Sequence, residues 1–133
     1  MTEPRPPALI KIGPFVYEVR LSANLDGYLG RADHDQGRIE LDTGQGFCCL
    51  AATLLHEVLH GIWNAAGETD LHDDDAVVDR TANLLLATLL ESPDLLEYLA
   101  AVRARSRAAG RSAPVSTGAA KRRVRHGMAA VAL

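Results

Sequence analysis

The sequence of 133 residues lacks the features that stabilise secreted proteins and anchor membrane proteins. It has two cysteines, Cys48 and Cys49, and because adjacent cysteines rarely bridge, we expect buried thiols and no disulfide framework. No apolar run approaches the roughly 20 residues that span a bilayer. The N-terminal stretch MTEPRPPALI contains an acid and three prolines but no apolar segment typical of a signal peptide. These absences predict a cytoplasmic protein without membrane contact.

Acidic residues are missing from the C-terminal part of the chain. All 17 lie at or before Glu97, whereas eight of the 14 basic residues follow residue 102. The net charge of −3 therefore separates into −11 for residues 1–102 and +8 for the remainder. The stretch 107–133 is rich in alanine, glycine, serine and arginine, which predicts a disordered basic tail. Such a tail can contact nucleic-acid phosphates weakly, but it has no aromatic side chain for base stacking, and a solubilising role is favoured.

The first forty residues show strand patterns. In FVYEVRL, residues alternate with a period of two, and the Gly13-Pro14 pair before it indicates a turn. We expect a small antiparallel sheet of three or four strands from the segments 8–12, 15–21, 27–32 and 37–41.

Helical spacing of apolar residues follows. It predicts one helix over 47–66 that ends at Gly67, a polar connector over 68–73, a second helix over 74–90, and a third over 93–106. The expected core face of the second helix consists of Val77, Val78, Leu84, Leu85 and Leu89. The expected organisation is an α+β domain of residues 8–106 between a disordered N-terminus, 1–7, and the tail, 107–133.

One motif contains candidate metal-binding and catalytic residues, the stretch TLLHEVLHGIW in the first predicted helix. His56 and His60 are four residues apart and therefore lie on one helix face, where both imidazoles can bind one metal ion. Glu57 lies about 100° round the helix, too far to be a ligand, but near enough to take a proton from a water held by the metal. This is the HExxH pattern, in which zinc is the expected ion and Glu57 the catalytic residue.

A catalytic zinc site needs a third protein ligand. In DAVVD, Asp75 and Asp79 share the four-residue helical spacing, so one can face the metal while the other supports a histidine ring. We assign Asp75 as the third ligand and Asp79 as the carboxylate behind His56. Asp74 and His72 are the alternative third ligands.

HEVLH followed by an acid-x-x-x-Asp helix resembles the gluzincin arrangement of zinc metallopeptidases. The run from Thr53 to Leu99 is similar to small metallopeptidase-like proteins of phages and prophages, whose relatives include the SprT-like and ImmA/IrrE-like families. The resemblance covers residues 8–100 and implies a zinc-dependent peptidase acting on a protein or peptide substrate. It departs at Asp75, where the family would have glutamate, one methylene longer.

Several alternatives stay open. The two histidines can form a hydrogen-bonded core pair, and Glu57 can be a solvated carboxylate. Asp79 can pair with Arg80 or Arg20. We expect a solvated His34, a packing role for Trp63, and for Tyr28 packing rather than an oxyanion contact. Two rival functions remain: a metal-stabilised binding module with little turnover, and a SprT-like protease that associates with DNA.

Overall fold

The computed structural model describes residues 2–110 and has the α+β fold that the sequence predicts. Residues 2–7 have no regular secondary structure, and the predicted tail lies outside the described residues from residue 111 onward. The elements in chain order are β1 (Leu9–Ile12), β2 (Phe15–Ser22), β3 (Gly30–Asp33), β4 (Arg38–Asp42), α1 (Phe47–Ala66), α2 (Thr69–Asp73), α3 (Asp75–Glu91) and α4 (Pro93–Ala108).

The sheet has the strand order β1-β2-β4-β3 and is mixed rather than purely antiparallel. The pairs β1–β2 and β3–β4 are antiparallel, but β4 lies beside β2 and pairs with it in parallel, with Ile39 opposite Val19. Alternation predicts strands and local pairs, but it does not determine which strands of the two pairs become neighbours. This order leaves β3 at one edge of the sheet.

The sheet packs against one face of α1. Buried Ile12, Tyr17, Ile39 and Leu41 from the sheet contact Leu50, Leu54 and Val58 of the helix. Each fully buried aliphatic side chain contributes roughly 1.5–3 kcal/mol. The sheet and the helix approach closely at Gly61, where an added Cβ would lie 2.7 Å from the Ile12 side chain. The helix ends as predicted at Gly67, which adopts the left-handed conformation with φ of 75°.

A second core lies between α1 and α3. Leu59 of α1 packs against Val78 and Ala82 of α3, with Leu55 and Trp63 at its margin. Trp63 is therefore a packing residue, as expected. The predicted core face of α3 is confirmed at Val78, which is buried, and Val77 and Leu89 are half-buried. It is wrong at Leu84 and Leu85, which are 70% and 36% exposed. Val78 and Ala82, four residues apart, define the face that α3 turns to α1, and the leucine pair lies off that face.

Two further expectations need correction. The polar connector 68–73 contains a short helix, α2, which no apolar periodicity indicates because none of its residues is buried. Cys48 and Cys49 are exposed rather than buried, since they lie in the first turn of α1, which begins at Phe47. Within residues 2–110, no helix combines the length and the apolar character that crossing a membrane requires.

Candidate metal centre

The two histidines of the motif lie in the middle of α1, on the helix face turned towards α3. Their side chains are largely buried, with 16% exposed for His56 and 14% for His60. The rings make an edge contact with centroids 4.8 Å apart, and the two Nε2 atoms are separated by 3.1 Å. The four-residue spacing thus brings the expected pair of nitrogen atoms to one point.

Asp75 completes this group although its side chain is shorter than glutamate. Its Oδ1 lies 3.2 Å from Nε2 of His56 and 3.0 Å from Nε2 of His60. Asp75 is the first residue of α3, and the short helix α2 brings the start of α3 against α1. The missing methylene is therefore compensated by the position of the backbone.

The donor set fits a metal ion. Around a tetrahedral zinc with bonds of 2.0–2.1 Å, neighbouring ligand atoms lie about 3.3 Å apart, close to the three separations within the group. Hydrogen bonds alone satisfy the group poorly. Asp75 can accept from both rings only if both Nε2 atoms carry hydrogen, and those hydrogens would then face each other across 3.1 Å. A cation between the three atoms removes this conflict, so His56, His60 and Asp75 form a group that can hold a metal ion.

The ionisation of the group suits a metal site. Burial lowers the pKa of His60, which favours the neutral imidazole that ligates metals. Partial burial acts to raise the pKa of Asp75, but hydrogen bonds with His60 and His56 outweigh it and hold this pKa below its usual range. Near neutral pH, these shifts favour an unprotonated nitrogen on His60 and an ionised carboxylate on Asp75.

The group opens to solvent on the side of Asp75, whose side chain is 79% exposed. A cleft of about 430 Å³ begins there and extends over α1 to the start of β3. The residues that line it come from the loop before β3, from α1 and from α3: Gly27, Tyr28, Leu29, Gly30, Cys49, Ala52, Thr53, His56, Glu57, Asp75, Asp79 and Asn83. A substrate can therefore approach the metal ligands along an open cleft.

Glu57 lies beside the metal ligands and lines the same cleft. Glu57 is only 6% exposed, and among residues 2–110 no other charged residue is buried. Burial raises its pKa to about 7, an effect that the neighbouring His56 partly offsets. The alternative of a solvated surface carboxylate does not hold, because Glu57 is buried. A carboxyl group with a pKa near neutrality can both accept and donate a proton at physiological pH.

Gly30 allows the edge strand to approach Glu57. A Cβ at this position would lie 2.6 Å from Cγ2 of Thr53 and 3.2 Å from Oε1 of Glu57. Gln45 fixes the same region, since its side-chain amide donates to the carbonyl of Leu29 and its Oε1 accepts from the Thr53 hydroxyl at 2.6 Å. The start of β3 is thus held directly over the glutamate.

Asp79 lies behind His56, one helical turn after Asp75. Its Oδ1 is 3.5 Å from Nδ1 of His56, a long contact on the side of the ring opposite the metal ligands. The surface alternative with Arg20 is not found, because Arg20 pairs with Glu18 at 2.9 Å. Asn83, a further turn along, donates to the Asp79 carbonyl at 3.0 Å. Asp79 therefore lies on the side of His56 from which a carboxylate could orient the ring, and the orienting role stays a prediction.

The two alternative third ligands have other positions. The Asp74 carboxylate caps α3 by accepting from the backbone N–H of Val77 at 3.2 Å. His72 lies on the far side of His60, with the two Nδ1 atoms 3.3 Å apart, and it is not part of the metal-binding group. His34, expected to be solvated, is half-buried in its turn and contacts the Tyr17 hydroxyl through Nδ1 at 2.9 Å.

Some residues around the site were not identified from the sequence. Asn83 follows Asp79 by the same four residues that separate Asp79 from Asp75, so this helical spacing could have identified it. Tyr17, Gly30 and His34 come from the sheet and its turn, and no local pattern connects them with the helical motif.

Comparisons of this chain with models of protein families, with curated proteins and with solved structures found no match. The resemblance to small zinc metallopeptidases therefore stays a prediction from the motif and its spacing.

Proposed function

We propose that this protein is a zinc-dependent metallopeptidase that hydrolyses internal peptide bonds, of the kind found in phages and prophages. One observation carries the proposal: three ligand atoms converge at an open cleft that also holds a buried glutamate, Glu57, which directly follows the ligand His56. We propose zinc because two imidazoles and a carboxylate form a ligand set of catalytic zinc sites.

Bound zinc supplies Lewis acidity, which polarises a scissile carbonyl and makes a water molecule more acidic. Glu57 takes the proton of the attacking water and then delivers it to the nitrogen of the leaving amine, so the carboxylate is regenerated. The burial that raises the pKa of Glu57 to about 7 suits both transfers. Asp79 orients the ring of His56 from behind.

A peptide substrate is favoured by the sheet edge beside the cleft. β3 is an end strand of the sheet, and residues at its start line the cleft. An extended peptide can add to such an edge through main-chain hydrogen bonds, which place a peptide bond over the metal ligands. None of the lining residues is lysine or arginine. Among the described residues 2–110, the cleft therefore has no Lys or Arg to bind a terminal carboxylate, which favours cleavage within a chain.

The test compares wild type with Glu57→Gln, His60→Ala and Glu91→Gln, an exposed carboxylate at the end of α3 that serves as control. Metal content of each purified protein is measured by mass spectrometry, and hydrolysis is followed with casein and a mixed peptide library. We expect about one zinc per chain in wild type, Glu57→Gln and Glu91→Gln, and a strong loss in His60→Ala. Hydrolysis should fall by roughly two to four orders of magnitude in Glu57→Gln.

Two outcomes contradict parts of the proposal. Wild type without metal, and without uptake when zinc is added, would exclude the metal site. Wild type with zinc but with the same hydrolysis as Glu57→Gln would exclude the peptidase and favour the rival binding module.

A further inference from the structure

A row of aromatic side chains leads from the sheet to the metal ligand His60. Tyr17 of β2 contacts His34 in the turn after β3, with its hydroxyl 2.9 Å from Nδ1. The ring of His34 makes an edge contact with His72 of α2 at a centroid distance of 5.0 Å, and His72 makes another with His60 at 4.9 Å. We call Tyr17, His34, His72 and His60 the histidine row.

If His60 binds a metal through one ring nitrogen, its other ring nitrogen needs a hydrogen-bond acceptor. If Nε2 ligates a metal, Nδ1 carries the hydrogen and needs an acceptor, because the neutral ring has one donor and one acceptor nitrogen. Nδ1 of His72 lies 3.3 Å away and is the side-chain atom found in this position. The lone pair of this atom can accept the hydrogen bond from His60 only when the hydrogen of His72 is on Nε2.

A competing contact defines the alternative state. Nδ1 of His72 is also 3.2 Å from the backbone carbonyl oxygen of His60, to which it can donate when it carries the hydrogen. In that tautomer, hydrogens on both Nδ1 atoms would face each other once His60 ligates a metal. Metal binding therefore selects the His72 tautomer with an unprotonated Nδ1.

The rest of the row holds the His72 ring in place. Tyr17 is 1% exposed and lies in the core of the sheet, so its hydroxyl is a fixed partner for His34. Burial lowers the pKa of His34, an effect that the neighbouring histidines reinforce, and a neutral ring can accept from this hydroxyl. The edge contact then restricts the rotation of His72, which the short helix α2 presents to α1.

We propose that His72 is a positioning residue of the metal centre, which accepts a hydrogen bond from Nδ1 of His60 and so fixes the tautomer and direction of this ligand. Partners of this kind contribute about 10- to 100-fold to metal affinity. The inference rests on the metal-binding part of the proposed function and is independent of hydrolysis.

The test uses substitutions that separate the acceptor from the bulk of the side chain. His72→Asn keeps an acceptor, because Oδ1 of asparagine takes a position close to that of Nδ1, whereas His72→Leu has a similar size and no acceptor. Zinc affinity of the full chain is measured by competition with a chromophoric chelator, and thermal unfolding is measured in excess EDTA. We expect His72→Leu to bind zinc roughly 10- to 100-fold more weakly, and His72→Asn to stay close to wild type.

The metal-free unfolding temperatures of the two variants should agree with each other, which separates positioning from a merely structural role. Tyr17→Phe, which removes only the hydroxyl at the other end of the row, should weaken zinc binding less than His72→Leu. Equal zinc affinity in His72→Leu and wild type would overturn the inference and leave the metal site intact. Equal weakening in His72→Leu and His72→Asn would also overturn it. Wild type that binds no zinc would remove the proposed function itself.

Discussion

At the scale of single residues, burial distinguishes the side chains of the site. His56 and His60 are largely buried, Glu57 is almost fully buried, and Asp75 faces solvent. The carboxyl groups of Glu57 and Asp75 consequently have pKa values displaced in opposite directions, the first upward by burial and the second downward by the histidines. Two acids with separated pKa values can divide the roles of proton carrier and ligand.

The first prediction concerns the stability of the metal-free protein. The pKa of Glu57 is about 7 in the fold, against 4.5 as its ordinary value. The folded state therefore binds the proton more tightly, and the stabilisation is complete below pH 4.5 and lost as pH rises through 7. Wild type in EDTA should lose up to about 3 kcal/mol of unfolding free energy from this group between pH 5 and pH 8.

Glu57→Gln removes this contribution, so its stability relative to wild type should increase with pH. Urea unfolding of both proteins at pH 5 and pH 8 measures the difference, with Glu91→Gln as the exposed control. Parallel changes in wild type and Glu57→Gln would show that the pKa of Glu57 is not raised.

At the scale of elements, the site depends on close approaches between backbones. β3 reaches α1 at Gly30, the sheet reaches α1 at Gly61, and α2 brings α3 to α1. The cleft lies where the edge strand and the two long helices of the site meet. A change that moves β3 should therefore affect both stability and the environment of Glu57.

The second prediction tests this approach with Gly30→Ala. The added Cβ would lie 2.6 Å from Cγ2 of Thr53, so we expect a loss of about 1–3 kcal/mol in unfolding free energy through overpacking. Thr53→Ser removes that methyl group and keeps the hydroxyl that donates to Gln45. The double variant should recover part of the loss, which a double-mutant cycle by urea unfolding measures. Strict additivity of the two changes would contradict a direct contact between these residues.

At the scale of the whole molecule, charge divides the chain into an acidic and a basic part. Residues 1–102 carry −11 and the remainder +8. The metal-binding group, the cleft and both cores lie between residues 10 and 83. The basic stretch is therefore separate in sequence from the site.

The third prediction follows from this separation. A chain ending at residue 110 should keep the zinc content and the thermal unfolding temperature of the full chain. It lacks five basic residues from Arg111 onward, so any binding to duplex DNA at low salt should weaken by about tenfold and depend less on salt. Titration of labelled DNA at 50 and 200 mM salt measures the effect. Equal DNA binding by both chains would exclude a nucleic-acid role for the tail and weaken the SprT-like alternative.

The sequence determined the features that depend on local periodicity. The spacing of His56 and His60 placed both rings on one helix face, Gly67 ended that helix, and the alternation of residues 15–21 predicted a strand. The spacing of Asp75 and Asp79 predicted that both carboxylates lie on one face of a helix, and both side chains are directed to His56. Each of these relations is fixed by the geometry of a single element.

The tertiary structure decided what depends on contacts between elements. It placed β4 in parallel beside β2, turned Leu84 and Leu85 outward, and exposed the cysteines. It buried Glu57 under Gly30, and it brought His72 and His34 into one row with His60. The sequence likewise did not determine whether the Asp75 side chain could reach the two histidines. A side chain one methylene shorter suffices because the start of α3 lies against α1, a distance that only the packing of three helices sets.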